Sequence, residues 1–353
     1  MNKFNLLITF FVLTSCVTEQ ARDMPCTDNY SQSPDTAEVT NNFYDNTETY
    51  PLPLQKITVE GEVANPGEVD FSRLVKRSVI VKETLLQDDG SDKFFGAYRY
   101  DGYSLFDILN DRIPQKANEE EFNSIIDLYV EIENDNGEKT VFSWGEIFYP
   151  NNLHKITVAT DVSRIVPSRS PDLWFLPSES KIVAAVDLIT ERNISSPVKI
   201  SIRSFPRSFE VQRGLSPMYT DHFKIFREGE EIARISELPR GLPLMAYNTI
   251  FYGRGRGIHS TQPFKGYILR DILLQYYPVD RESLAEGMIC IAGLDGYRST
   301  LSFSELFNRN DQQEFLLLKY QPDEDGGLFR MFATPDFFSD RAIKSVSEIH
   351  LNF

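Results

Sequence analysis

Cysteine and histidine are scarce in this chain of 353 residues, which has three cysteines and four histidines. The histidines lie far apart without metal-ligand spacing, so the sequence predicts no zinc centre. The chain also lacks a CxxC pair, a Walker loop and a Ser-His-Asp elbow. These absences remove the common signatures of redox, nucleotide-hydrolysing and serine-hydrolase chemistry, and any function must come from less familiar features.

Positive charge is also in short supply. The chain has 36 lysines and arginines against 52 aspartates and glutamates, which gives a net charge of -16. A protein with this charge repels polyanions and offers few partners to phosphates. The composition therefore predicts no binding of nucleic acid, and local basic clusters become informative.

No apolar run at the N-terminus is long enough to span a bilayer. Lys3 precedes a short apolar stretch that ends at Leu13, and the following residues complete the sequence LTSC. This order is typical of an export signal followed by the lipobox of bacterial lipoproteins. We therefore predict a signal peptide at residues 1–15 and lipidation of Cys16, which anchors the protein to a membrane of the bacterial cell envelope. The alternative is an ordinary secretory signal in which Cys16 has no special role.

Residues 16–55 are polar, acidic and rich in proline, and they lack apolar periodicity. Such a segment buries too little surface to offset the entropy of ordering it. We predict a flexible tether. Cys26 lies in it, and two interpretations stay open for Cys290: a disulfide with Cys26, or a small buried apolar residue.

The sequence contains an internal repeat. The stretch YDGYSLFDIL at residues 100–109 returns as FKGYILRDIL at 264–273, and IENDNGEKTVFSWGEIF at 132–148 returns as IAGLDGYRSTLSFSELF at 291–307. The echoes follow in the same order at nearly one offset, which indicates a duplication. Short, turn-punctuated strands with short helices predict two tandem domains at residues 56–205 and 206–353, each of a mixed α+β class with mostly antiparallel strands.

Several of these motifs together suggest a family. The stretch VEGEVANPGEV at residues 59–69, the two Gly-Tyr helix starts, LDGYRSTLSF at 294–303 and RAIKSVSEI at 341–349 resemble the molybdopterin-binding domain of the sulfite oxidase family. The resemblance implies two sulfite-oxidase-like domains and molybdopterin as a cofactor. In that family a cysteine before the helix start binds molybdenum, but the equivalent loops here contain no cysteine, and Cys290 follows the helix instead.

The resemblance also implies a phosphate-binding pair of cations near the C-terminus, which Arg341 and Lys344 match in spacing. The stretch FYGRGRGIHS at residues 251–260 occupies the position of the family's cofactor loop. Its glycine amides, with Arg254, Arg256 and His259, could accept an anion. A solvated turn between strands is the alternative, since no helix begins there to receive a phosphate.

These observations predict a lipid-anchored envelope protein that binds an anionic or pterin-like ligand, or a partner protein of the envelope, without catalysis. The cofactor-binding residues would be Arg254, Arg256, His259, Arg341 and Lys344. The alternative is a molybdopterin-dependent oxidoreductase with an atypical metal ligand. A purely structural partner in a surface complex is a third possibility, for which we expect an exposed apolar patch at the interdomain groove.

Overall fold

Short β-strands are the main regular structure of the computed structural model, which describes residues 48–166, 174–255, 257–321 and 325–352. Strands account for 43% of the described residues and helices for 12%. The predicted signal peptide, Cys16 and most of the predicted tether lie outside the described residues.

The elements fall into two series, one in the first half of the chain (residues 48–205) and one in the second half (residues 206–352). The first half contains β1 (Tyr50–Pro51), β2 (Thr58–Gly61), β3 (Gly67–Glu68), β4 (Lys76–Leu86), β5 (Asp92–Ser104), α1 (Leu105–Leu109), β6 (Leu128–Asn134), β7 (Lys139–Ser143), α2 (Trp144–Phe148), β8 (Ile156–Arg164), β9 (Lys181–Ala184) and β10 (Pro197–Ser204). The second half contains β11 (Phe223–Arg227), β12 (Glu230–Ile235), β13 (Met245–Tyr247), β14 (Phe251–Gly253), β15 (Gly257–Ser260), β16 (Phe264–Ile268), α3 (Leu269–Leu273), α4 (Arg281–Glu286), β17 (Met288–Gly293), β18 (Arg298–Ser302), α5 (Phe303–Phe307), β19 (Phe315–Lys319), β20 (Phe329–Ala333) and β21 (Val346–Asn352).

Strand pairing repeats between the two halves. One sheet of the first half has the order β3-β2-β10-β6-β7, and one of the second half has the order β12-β11-β21-β17-β18. In both, the second and third strands are parallel and the other pairs are antiparallel. The remaining large sheets also correspond, because β4-β5-β8-β9 matches β13-β16-β19-β20. The duplication seen in the sequence is therefore present in the topology, while the domain limits at 56–205 and 206–353 stay predictions.

The predicted fold class is wrong. The four large sheets stand in a four-bladed β-propeller-like arrangement, and the fold is not an α+β pair of tandem sulfite-oxidase-like domains. The error came from the helical patterns after the two Gly-Tyr pairs. In the first of them, Ser104 caps α1 and Leu105, Ile108 and Leu109 are buried, but the apolar pattern lasts only one turn before Asn110 ends it.

The Gly-Tyr pair itself belongs to a strand. Gly102 lies in β5, which pairs with β8, and a side chain at this position would meet the backbone of Val158 and Ala159. Glycine is thus required by close strand packing rather than by a helix start. The two largest apolar clusters among the described residues lie one around α1, α2 and the first-half sheets and one around α3, α4, α5 and the second-half sheets.

Candidate binding sites at the junction of the two halves

The stretch FYGRGRGIHS forms a β-hairpin. Strands β14 and β15 pair antiparallel, with Phe251 opposite Ser260 and Gly253 opposite Gly257. Gly257 has a φ of 74°, which favours glycine. Arg256 lies outside the described residues. By the internal repeat, this hairpin corresponds to the far end of the long β4-β5 hairpin of the first half. The glycines therefore serve a strand turn.

The exposed basic residues of this hairpin already have neighbours. The Arg254 guanidinium forms an ion pair with Asp340 and lies 5.7 Å from the ring centroid of Tyr149 in the first half. The imidazole of His259 packs on Phe251 with ring centroids 4.9 Å apart. These contacts attach the hairpin to the body of the protein.

Arg341 does not face a ligand. Its side chain is fully buried, its Nε and Nη2 donate to the two carboxylate oxygens of Asp336 at 2.8 and 2.6 Å, and its Nη1 lies 2.7 Å from Glu305. Lys344, three residues later, is exposed. The predicted cation pair is thus split between the interior and the surface, because Arg341 neutralises buried carboxylates instead.

Arg192 repeats this arrangement in the first half. It donates to both oxygens of Asp187 at 2.8 and 2.6 Å and pairs with Glu146 at 2.9 Å, and it is also fully buried. We call these two arginines, with Glu146, Asp187, Glu305 and Asp336, the junction charge cluster. The serines that cap α2 and α5 link the first-half and second-half ion pairs of this cluster. Ser143, the cap of α2, donates to Glu305 at 2.6 Å, and Ser302, the cap of α5, accepts from Arg192 at 3.0 Å.

The sequence carried a signal for this cluster that we did not use. An aspartate precedes an arginine by five positions in both halves, at 187 and 192 and again at 336 and 341. Each half also has a glutamate three residues after the serine that caps the one-turn helix following its central hairpin, at 146 and 305. Charged residues that recur at equivalent positions of both halves, flanked by apolar residues, indicate buried ion pairs.

The junction charge cluster holds more negative than positive charge, with four carboxyl groups and two guanidinium groups. Burial raises the pKa of Glu305 to about 7, against the opposing effect of the Arg341 cation. Burial likewise raises the pKa values of Asp187 and Asp336. Burial therefore favours the protonated form of Glu305, while the Arg309 cation opposes the rise in pKa at Asp187 and Asp336.

A cavity of about 130 Å³ lies beside this cluster, and both halves line it. Residues at equivalent positions of the two halves line it: Pro150 and Arg309, Asn152 and Asp311, His154 and Gln313, Val186 and Pro335. The walls are thus built on a duplicated scaffold, but the side chains differ between the two copies. We call this space the junction cavity.

His154 has an unusual conformation in the junction cavity. Its φ of 68° is uncommon for a residue other than glycine, and such strain often marks functional positions. Its Nδ1 lies 2.9 Å from Ser104 Oγ and 3.6 Å from Asp107. Both neighbours approach the same nitrogen, whereas a catalytic triad needs the acid and the nucleophile on opposite nitrogens. Burial lowers the pKa of His154, so the imidazole is neutral at pH 7.

An apolar groove of about 500 Å³ runs along the β14-β15 hairpin. Ile250, Ile258 and Phe337 line it with 51%, 63% and 51% of their surface exposed. Tyr252 forms part of its wall and stacks on Phe338 with ring centroids 5.4 Å apart. We call this surface the hairpin groove. Exposed apolar side chains gathered around a groove are typical of a binding surface.

The described residues do not fit a molybdopterin centre. Cys290 is free, fully buried within β17, and burial raises the pKa of its thiol, so it offers no accessible thiolate to a metal. Within residues 48–166, 174–255, 257–321 and 325–352, no three His, Cys, Asp or Glu side chains gather in a way that could hold a metal ion. Arg341 is also unavailable to a cofactor phosphate.

No protein-family model and no curated protein matches the chain. In the part of the chain that the structure describes, no helix is long and apolar enough to cross a membrane.

Proposed function

We propose that this protein is an exported, lipid-anchored component of a bacterial cell envelope that binds a partner protein through the hairpin groove and performs no chemistry on it. The sequence supports the anchor through the lipobox that ends at Cys16. The observation that carries the binding role is the exposure of Ile250, Ile258 and Phe337 around one groove of about 500 Å³.

The residue chemistry around the groove supports binding over catalysis. The nearest strong acids and bases are committed to each other, since Arg254 pairs with Asp340 and Asp336 pairs with Arg341. A general base or nucleophile needs a free reactive atom facing the substrate. The groove instead presents isoleucine, phenylalanine, asparagine and threonine side chains.

The repeat shows that this groove is specific to the second half. At the equivalent place in the first half, the end of the β4-β5 hairpin packs against the second-half core: Leu86 contacts that core, and its carbonyl accepts a hydrogen bond of 2.7 Å from Arg281. In the corresponding region of the second half, Ile250 and Ile258 are 51% and 63% exposed. The first hairpin thus buries an apolar residue against its neighbour, whereas the second leaves apolar side chains uncovered beside its Arg254 contact with Tyr149.

The test compares two aspartate variants of similar exposure. Ile250→Asp with Ile258→Asp places charge in the hairpin groove, while Ile80→Asp places charge on β4, where the side chain is 57% exposed. Each full-length protein is expressed in a lipoprotein-producing bacterial host and cross-linked on intact envelopes. We expect the groove variant to lose its cross-linked species and the Ile80→Asp control to retain it. Equal cross-linking in both variants would refute the groove assignment.

The anchor is tested separately with Cys16→Ser. We expect the wild-type protein in the membrane fraction and labelled by a radioactive fatty acid, and the variant in the soluble fraction without label. Retention of label in the Cys16→Ser variant would contradict lipidation at this residue.

A further inference from the structure

The lining of the junction cavity combines apolar and polar side chains. Phe106, Ile147, Ile156 and Val186 contribute apolar surface. Asn151, Asn152, His154, Lys155 and Gln313 contribute polar groups. A space of this kind suits a small molecule with an apolar body and one polar end, because such pockets combine apolar contact with a few oriented polar groups.

The charges in the cavity wall leave one cation without a counter-ion. Glu146 is held by Arg192 at 2.9 Å, and Asp311 is held by Arg309 through two contacts of 2.9 and 2.6 Å. Among the described residues, no carboxylate forms a salt bridge with Lys155. The four charged residues of the lining, Glu146, Lys155, Arg309 and Asp311, sum to zero, and Lys155 is the cation among them that lacks an ion-pair partner in the described part of the chain.

The size of the cavity limits the ligand. A volume of about 130 Å³ is close to that of an engineered protein cavity of roughly 150 Å³ that takes up benzene. A nucleotide or pterin is far too large for this space. A short-chain acid with a few carbon atoms fits it.

We propose that the junction cavity is a binding site for a short-chain monocarboxylate, with the alkyl part against Phe106, Ile147 and Ile156 and the carboxylate at Lys155. The amides of Asn152 and Gln313 are hydrogen-bond donors among the cavity-lining residues. His154, with a φ of 68° and its Nδ1 2.9 Å from Ser104 Oγ, directly precedes Lys155 in the lining. This site is distinct from the hairpin groove and does not depend on it.

Isothermal titration calorimetry with propionate on the full-length protein tests the site. We expect propionate to bind and its neutral analogue propionamide to bind at least tenfold more weakly, since a charge-assisted contact is worth more than one factor of ten in affinity. Equal binding of the acid and the amide would overturn the role of Lys155. Equal binding of inorganic phosphate would overturn the choice of a carboxylate with an apolar body.

Three variants localise the site. Lys155→Met removes the charge, and we expect it to weaken propionate binding about tenfold. Asn152→Trp places a bulky ring at an exposed position of the cavity wall, which should abolish binding without touching the core. Lys265→Met, at an exposed lysine of β16, is the matched control and should bind as the wild type does.

Three results would overturn the carboxylate site. Failure of the wild type to bind propionate at millimolar concentration, or unchanged binding in both Lys155→Met and Asn152→Trp, would overturn the proposal. A similar loss in Lys265→Met would show a general charge effect and would also overturn it. None of these results changes the expectation for the groove variants, which are read by cross-linking.

Discussion

Glu305 should make the stability of this protein depend on pH near neutrality. Its carboxyl group is fully buried and faces Arg341, Ser143, Glu146 and Asp336 within the junction charge cluster. Burial raises its pKa to about 7 from an ordinary value of 4.5. Between these two values the native protein binds a proton that the unfolded chain has already released.

The sign of the effect follows from this difference in proton binding. The free energy of unfolding is highest below the unfolded pKa, falls as the pH rises through the window from 4.5 to about 7, and loses the whole contribution above it. One pKa unit corresponds to about 1.4 kcal/mol, so the shift amounts to about 3 kcal/mol. Asp187 and Asp336 have pKa values raised by burial and add to the same slope.

The variant Glu305→Gln isolates the contribution of this residue. The amide is a neutral mimic of the protonated acid, with an oxygen for Arg341 and an amino group for the Ser143 hydroxyl. We expect the variant to match the wild type at pH 5 and to exceed it by about 3 kcal/mol at pH 8. Urea denaturation across this pH range measures both proteins, with Glu230→Gln at an exposed position of β12 as the control.

The reasoning fails if the stability difference between Glu305→Gln and the wild type is the same at pH 5 and pH 8. It also fails if Glu230→Gln reproduces the effect. The first result would mean that the buried carboxyl is ionised throughout, so that Arg341 and Ser143 outweigh the cost of burial, and the second would mean that the pH dependence is a general effect of removing a carboxylate.

Two further predictions concern buried groups. Arg341→Leu leaves Asp336 and Glu305 buried without their cation, and we expect a loss of about 3–5 kcal/mol in urea denaturation at pH 7; a loss below about 1 kcal/mol would contradict the burial of these charges. Cys290 is fully buried and burial raises its thiol pKa, so in the Cys16→Ser, Cys26→Ser protein we expect a thiol reagent to react only when denaturant unfolds the chain. Rapid labelling without denaturant would contradict this.

The repeat was the part of the structure that the sequence predicted best. Matching turns such as Gly137 and Gly296 recur in both halves with positive φ, and the strands around them pair in the same order. Local turn chemistry and period-two alternation are short-range signals, and they survive in both copies. Packing of the sheets into a propeller-like arrangement depends on long-range contacts that no short motif contains.

The candidate site was predicted less well. The spacing of Arg341 and Lys344 matched a phosphate-binding pattern, but spacing alone does not tell whether an arginine faces solvent or a buried carboxylate. The carboxylate that binds Arg341 is that of Asp336, five residues before it in the sequence, and this pairing was not recognised. The junction cavity could not be predicted at all, because its walls come from segments about 160 positions apart, such as His154 and Gln313.

The contacts between the halves have the form of a homodimer interface inside one chain. The amide of Leu188 donates to the carbonyl of Asn308 at 2.8 Å, and at the equivalent positions Phe337 donates to Tyr149 at 2.7 Å. A surface that pairs with its own copy in this reciprocal way is isologous, as in two-fold symmetric dimers. Because the two copies share one chain, their sequences are free to diverge, and an originally symmetric seam can acquire a charge on one side only, as it has at Asp311, where the first half has Asn152.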